Sequence, residues 1–141
     1  MQSDFQRTLR LVSQLNGGDI RAVYSYNQAI YAKMRDYLAR PDKAILTNLY
    51  MPQEIFIAMN LPTLFTEFIT GTLAAAKRTL DMIAATERVL QSSGLCNYIT
   101  SIIGFYEEGQ LPPPKFFIAP SEICEDPPKV FEYLSSRVTS Q

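Results

Sequence analysis

Three short apolar runs, at residues 43–50 (KAILTNLY), 62–65 (PTLF) and 115–119 (KFFIA), are set between stretches with helical spacing. Runs of this length, bounded by proline and glycine, read as buried strands. Strands that alternate with helices pair in parallel, with the helices packed on the sheet faces. The expected fold class is therefore α/β: a small parallel sheet flanked by helices, a Rossmann-like three-layer arrangement. The chain has 141 residues, the size of one ordinary domain. Three strands are few for such a sheet, so either the domain is small or further strands come from sequence outside these residues.

The helical stretches are bounded by recognisable stops. Residues 4–16 place Phe5, Leu9, Val12 and Leu15 at helical spacing, and Gly17-Gly18 ends that run. Asp19 can cap a second helix, with Val23, Ile30, Met34 and Leu38 as its stripe and Pro41 as its end. Together they form a helical preface over residues 1–42, ahead of an α/β domain over 43–141. Pro52 fits the first position of a short helix reaching Asn60. Gly71 precedes a long helical run with Leu73, Ala76, Leu80, Ile83 and Leu90 on one face, broken by Ser92-Ser93-Gly94. Leu73, Leu80 and Ile83 read as core. Cys96 opens the next helix, to about Glu108, before Gly109 and prolines 112 to 114. Pro127 or Pro128 starts a last helix with Val130, Phe131 and Leu134 facing inward.

Composition narrows the function. A hydrophobic share of 47% and a charged share of 19% fit a soluble globular core. A net charge of −1 favours neither nucleic acid nor an anionic membrane surface. The greasiest stretch, residues 45–73, is interrupted by Asn48, Pro52, Glu54, Asn60, Pro62 and Glu67, so no membrane span is expected. The first residues carry no secretory pattern, and a reducing, cytoplasmic location is the expectation. There is no histidine, so chemistry must come from thiols, carboxylates, hydroxyls, lysines or a cofactor.

In open parallel sheets, ligands bind beyond the carboxyl ends of the strands. The loops there are residues 50–52, 66–71 and 120–126. Cys124 lies in the last of them, and Cys96 at a helix N-terminus, where unpaired amides favour a thiolate. The gap between the two cysteines matches no compact zinc or ferredoxin spacing, and buried structural cysteine is the common alternative. Around them, Ser121 reads as the cap of a turn. Glu54 reads as a first-turn carboxylate, Tyr98 as core packing and Asp126 as a helix cap. Glu107-Glu108 reads as a solvated helix end.

Four segments, in order over about residues 43–135, resemble the 2-hydroxyacyl-CoA dehydratase and benzoyl-CoA reductase family, in particular a subunit like the D-component of 2-hydroxyglutaryl-CoA dehydratase. The first is strand one running into Met51-Pro52-Gln53-Glu54 and then the return through Asn60-Leu61-Pro62. The second is Cys96-Asn97-Tyr98 with Gly104 closing the segment. The third is Leu111-Pro112-Pro113-Pro114-Lys115 leading into Phe116-Phe117-Ile118-Ala119. The fourth is Cys124 and the helix through Lys129-Val130-Phe131-Glu132-Tyr133-Leu134. The chain departs from the family pattern at Thr100, where a basic residue is usual, and at Glu125, where an aspartate is usual. It departs again at Asn60-Leu61, in place of a glycine-containing turn.

The resemblance implies a 4Fe–4S cluster with Cys96 and Cys124 among its thiolate ligands and Ser121 near its sulfurs. The third cysteine would come from a second domain outside these residues. It implies an acyl-CoA substrate, a partner dehydratase subunit and an ATP-dependent activator protein that injects one low-potential electron. The reaction implied is ketyl-radical dehydration of a 2-hydroxyacyl-CoA, or ring reduction in a benzoyl-CoA reductase-type subunit. The full-length protein would be the enzyme and the isolated 141-residue chain inactive. Two other functions remain open at this point: a non-catalytic binding domain of the same fold, and a thiol-redox domain pairing the two cysteines. The latter lacks a Cys-x-x-Cys motif.

Overall fold

The computed structural model describes residues 21–90 and 94–139. The predicted helix at 4–16, its Gly17-Gly18 stop, the Asp19 cap and the Ser92-Ser93 break lie outside the described residues. A first helix, α1 (Arg21–Ala39), leads through a short 3-10 turn to β1 (Ile45–Thr47). Then follow α2 (Gln53–Ala58), β2 (Thr63–Phe65), α3 (Thr66–Ala75), α4 (Thr79–Glu87), α5 (Asn97–Glu107), β3 (Phe116–Ile118) and α6 (Asp126–Thr139). The three strands form one parallel sheet in the order β2-β1-β3. The α/β class with flanking helices and an N-terminal helix is thus the observed one.

Register explains how the sheet is covered. Leu46 pairs with Leu64 and with Phe117, so these three share one face. They join a core with Ile99, Ile102 and Ile103 of α5 and Val130, Phe131 and Leu134 of α6. The inward face predicted for α6 is therefore the observed one. Ile45, Thr47 and Phe65 point the other way and are equally buried. There the Lys33 ammonium of α1 lies 5.9 Å from the centroid of the Phe65 ring. No helix among the described residues is long and apolar enough to cross a membrane.

Several expectations are corrected. The strands are shorter than the apolar runs that contain them. β3 is an edge strand rather than a buried one, with Phe116 48% exposed. Pro52 is the N-cap of α2, one position before the expected place. The long helix expected after Gly71 is two helices. The chain turns at Lys77, with φ +57°, where Lys77 N–H donates to Ala74 O and Arg78 N–H to Leu73 O. This is a Schellman turn, and it re-aims the following helix. Leu80, read as core, is 78% exposed in consequence. The same turn closes α2 with Asn60 at φ +53°, Leu61 N–H donating to Phe56 O. Asparagine tolerates that conformation, which explains how it stands where a glycine-containing turn was expected.

Tyr37 of α1 is fully buried, and its hydroxyl donates to Pro112 O at 3.2 Å. Burial pushes its ionisation far above the ordinary tyrosine range. The unfolded chain loses this proton as pH rises through about 10, whereas the folded chain keeps it. Stability present below that pH is then lost above it, at about 1.4 kcal/mol per pH unit. Tyr37→Phe should flatten the fall in urea midpoint by that share when pH is raised to about 11. An unchanged slope would show that Tyr37 ionises freely in the fold.

Candidate functional site

The carboxyl ends of the three strands converge on one rim, and a chain of hydrogen bonds runs along it. At the end of β2, Glu67 Oε2 accepts from Leu49 N–H (3.1 Å), just past β1, and from the Thr66 hydroxyl (3.0 Å). The Glu67 carbonyl oxygen accepts from the Tyr98 hydroxyl at 2.9 Å, which ties α3 to the first turn of α5. Tyr98, expected in the core, is 44% exposed and spans the rim instead.

Cys96 is the N-cap of α5, with its sulfur-bearing residue exposed. Its backbone N–H donates to Asp126 Oδ2 at 2.9 Å. Asp126 opens α6, and Cys124 lies two positions before it, half-buried. Asp126 therefore caps across helices and brings the loop of Cys124 to the start of α5. Both thiols are free. The Lys129 ammonium donates to Glu125 at 3.0 Å, and this bond holds it above the usual lysine range. Asp126 and Cys124 add to the same effect.

Ser121 is exposed in the bend before Cys124. Glu54 sits exposed in the first turn of α2, as expected of a dipole-complementing carboxylate. Of the pair read as a solvated helix end, Glu108 is exposed as expected and Glu107 is not. Glu107 accepts from the Tyr133 hydroxyl (3.0 Å) and Arg137 Nε (3.1 Å), clamping α5 to α6, while Glu108 pairs with Arg88. Burial, with the Glu107 bond and charge, raises the Tyr133 ionisation above its ordinary value.

Two rim residues were missed by the sequence reading. Glu67 sits at the start of a loop already marked as a ligand rim, which was the available signal. Asn48 is the polar residue just past β1, inside the first apolar run. It is fully buried, and neither its Oδ1 nor its Nδ2 finds a partner among the described residues.

Among the described residues, no three histidine, cysteine or acidic side chains gather into a group that could hold a metal. The Cys96–Asp126 bond brings the loop of Cys124 to the start of α5, and two thiols are by themselves an incomplete donor set for a soft metal.

No curated protein and no solved structure matches the chain. The family model described as 2-hydroxyglutaryl-CoA dehydratase, D-component, matches residues 48–140, from the buried Asn48 at the end of β1 to the end of α6. The match contains the whole rim and both cysteines, and the chain belongs to the 2-hydroxyglutaryl-CoA dehydratase D-component family.

Proposed function

We propose that this chain is the first domain of a 2-hydroxyacyl-CoA dehydratase subunit, with residues 21–39 as part of its helical preface, and that Cys96 and Cys124 supply two thiolates to a 4Fe–4S cluster. The observation that carries this reading is the Asp126 bond to the Cys96 N–H, which joins the two cysteine loops at one rim. Family membership adds the iron–sulfur context. When bound, such a cluster supplies a low-potential electron and a Lewis-acidic iron.

The chain's own residues prepare the site. Cys96 sits at the N-cap of α5, and Lys129 pairs with Glu125, the residue that follows Cys124. Tyr98 and Glu67 brace the start of α5 against β1 and β2, which holds Cys96 at a fixed depth on the rim. A further cysteine ligand comes from a second domain, and the acyl-CoA lies between the two. A partner dehydratase subunit and an ATP-dependent activator complete the system, in the cytoplasm.

The test is anaerobic reconstitution of the full subunit with its partner, in iron and sulfide, read by iron content and visible absorption. About four irons are expected, as one cubane requires. Cys96→Ser and Cys124→Ser should each lose them, and the isolated 141-residue chain should stay without a cluster. A colourless wild type, or serine variants that bind iron equally, would favour a non-catalytic binding domain of the same fold.

A further inference from the structure

The sheet has two edges, and they differ. At one, β2 is fully buried. At the other, β3 has no further strand beside it among the described residues, and Phe116 is 48% exposed. The backbone shows what this open edge offers. Phe116 N–H donates to Ala44 O at 3.1 Å, and in a parallel ladder alternate residues turn their polar groups to the same neighbour. Phe116 and Ile118 therefore face β1, and Phe117 turns its N–H and C=O to the open side. Neither group has a backbone partner among the described residues. Beside them, a groove of about 430 Å³ runs between β3 and α6, lined by Lys115, Phe117, Ala119, Pro128 and Phe131 among others.

An unpaired edge is a template for another strand. Two features of this one say which strand. It is short: Pro114 precedes Lys115 and Pro120 follows Ala119, and proline cannot donate to a ladder, so pairing is confined to residues 115–119. It is also polarised. At its start stands Lys115, exposed and without an ion pair among the described residues. Just past its end stands exposed Glu122, followed by Glu125 and Asp126. A parallel copy would set like charge beside like charge. An antiparallel copy sets Lys115 toward the acidic loop of its neighbour.

We propose that a second copy of this chain pairs with the β3 edge, antiparallel about a two-fold axis at Phe117. The two Phe117 residues exchange both N–H···O bonds, as opposed residues of an antiparallel ladder do. Phe116 of each copy then lies opposite Ile118 of the other, and Lys115 opposite Ala119, close to Glu122. Each chain has one open edge to give, so the assembly closes at the dimer and joins two three-stranded sheets into one. A contact this short lies at the small end of specific interfaces, so the dimer is weak and concentration-dependent. The pairing is independent of the cysteines as metal ligands.

Sedimentation velocity of the 141-residue chain, without metal and with a reductant to exclude disulfides, should show a mass that rises with concentration toward twice that of one chain. Lys115→Glu should weaken the dimer about tenfold, because the symmetry turns two attractive pairs repulsive at once. Adding Glu122→Lys to that variant should restore the dimer, since the same attraction is rebuilt with its signs exchanged. Hydrogen exchange locates the contact: the Phe117 amide should be protected in concentrated protein and open in dilute protein. A chain that stays monomeric at every concentration overturns the proposal and leaves the edge to a strand from elsewhere. A dimer in which the Phe117 amide exchanges freely overturns it too, because another face is then joined. So does a dimer indifferent to Lys115→Glu, which would rule out the antiparallel arrangement.

Discussion

Gly104→Ala is expected to destabilise the protein by about 3 kcal/mol, the upper end of what overpacking costs. The added Cβ would stand 1.9 Å from Met82 O and 2.7 Å from Met82 C, both backbone atoms of α4. No rotamer change can clear a backbone carbonyl, so α4 itself would have to move away from α5. That movement would also break a local network. Thr86 Oγ1 lies 3.0 Å from Met82 O and 2.9 Å from Thr100 O, and accepts from Gly104 N–H at 2.9 Å. The crossing of α4 over α5 is therefore fixed by an absent side chain and one hydroxyl. A fall in Tm on the order of 10 °C should follow. Gly109→Ala is the control. Its Cβ meets nothing within 4 Å, and only the positive φ of +66° penalises it, at about 1–2 kcal/mol. A Gly104→Ala melt no lower than that of Gly109→Ala would mean the crossing is looser than these distances require.

Gly104 also shows how the sequence should be read. Within the chain it looks like a poor helix residue in an otherwise apolar run, and only the family resemblance singled it out. Its reason is the opposite helix, which no local pattern records. The elements that were legible are those decided by near neighbours. The three strands followed from apolar runs bounded by proline, α5 from Cys96 to its Gly109 stop, and the α6 face from Val130, Phe131 and Leu134. The errors arose where the backbone turned without glycine. Lys77 in the left-handed conformation split one expected helix into two and put Leu80 in solvent. Asn60 did the same work at the end of α2. At the site, both cysteines were visible from residue type and position. Their link was not, because Asp126 reads locally as the cap of its own helix and instead serves α5. Asn48 was hidden for a related reason: a polar residue ending a strand looks like the start of a loop until its burial is known.

With Cys96 and Cys124 as the proposed cluster ligands, Asp126→Ala should weaken metal binding by about 10- to 100-fold, the usual cost of losing a group that holds a ligand in place. The residue bears no thiol, but its carboxylate accepts from the Cys96 N–H at 2.9 Å, and Cys124 lies in the loop just before it. It links one cysteine segment to the other through a single hydrogen bond. Without it the start of α5 keeps its helix but loses the acceptor that anchors its N-cap, and the Cys124 loop loses its tether. The stability cost should be near that of a helix cap, about 1 kcal/mol, far below the effect of Gly104→Ala. The two losses separate in one pair of measurements: urea midpoint without metal, and Co²⁺ affinity at a urea-free temperature where the variant is fully folded. Asp126→Asn retains an acceptor at the same reach and should recover most of the affinity. If Asp126→Ala binds Co²⁺ as tightly as wild type, the bond between the loops is incidental and the thiols are held by the helices alone. If Asp126→Asn is as weak as alanine, the carboxylate acts through its charge rather than by holding the two loops in register.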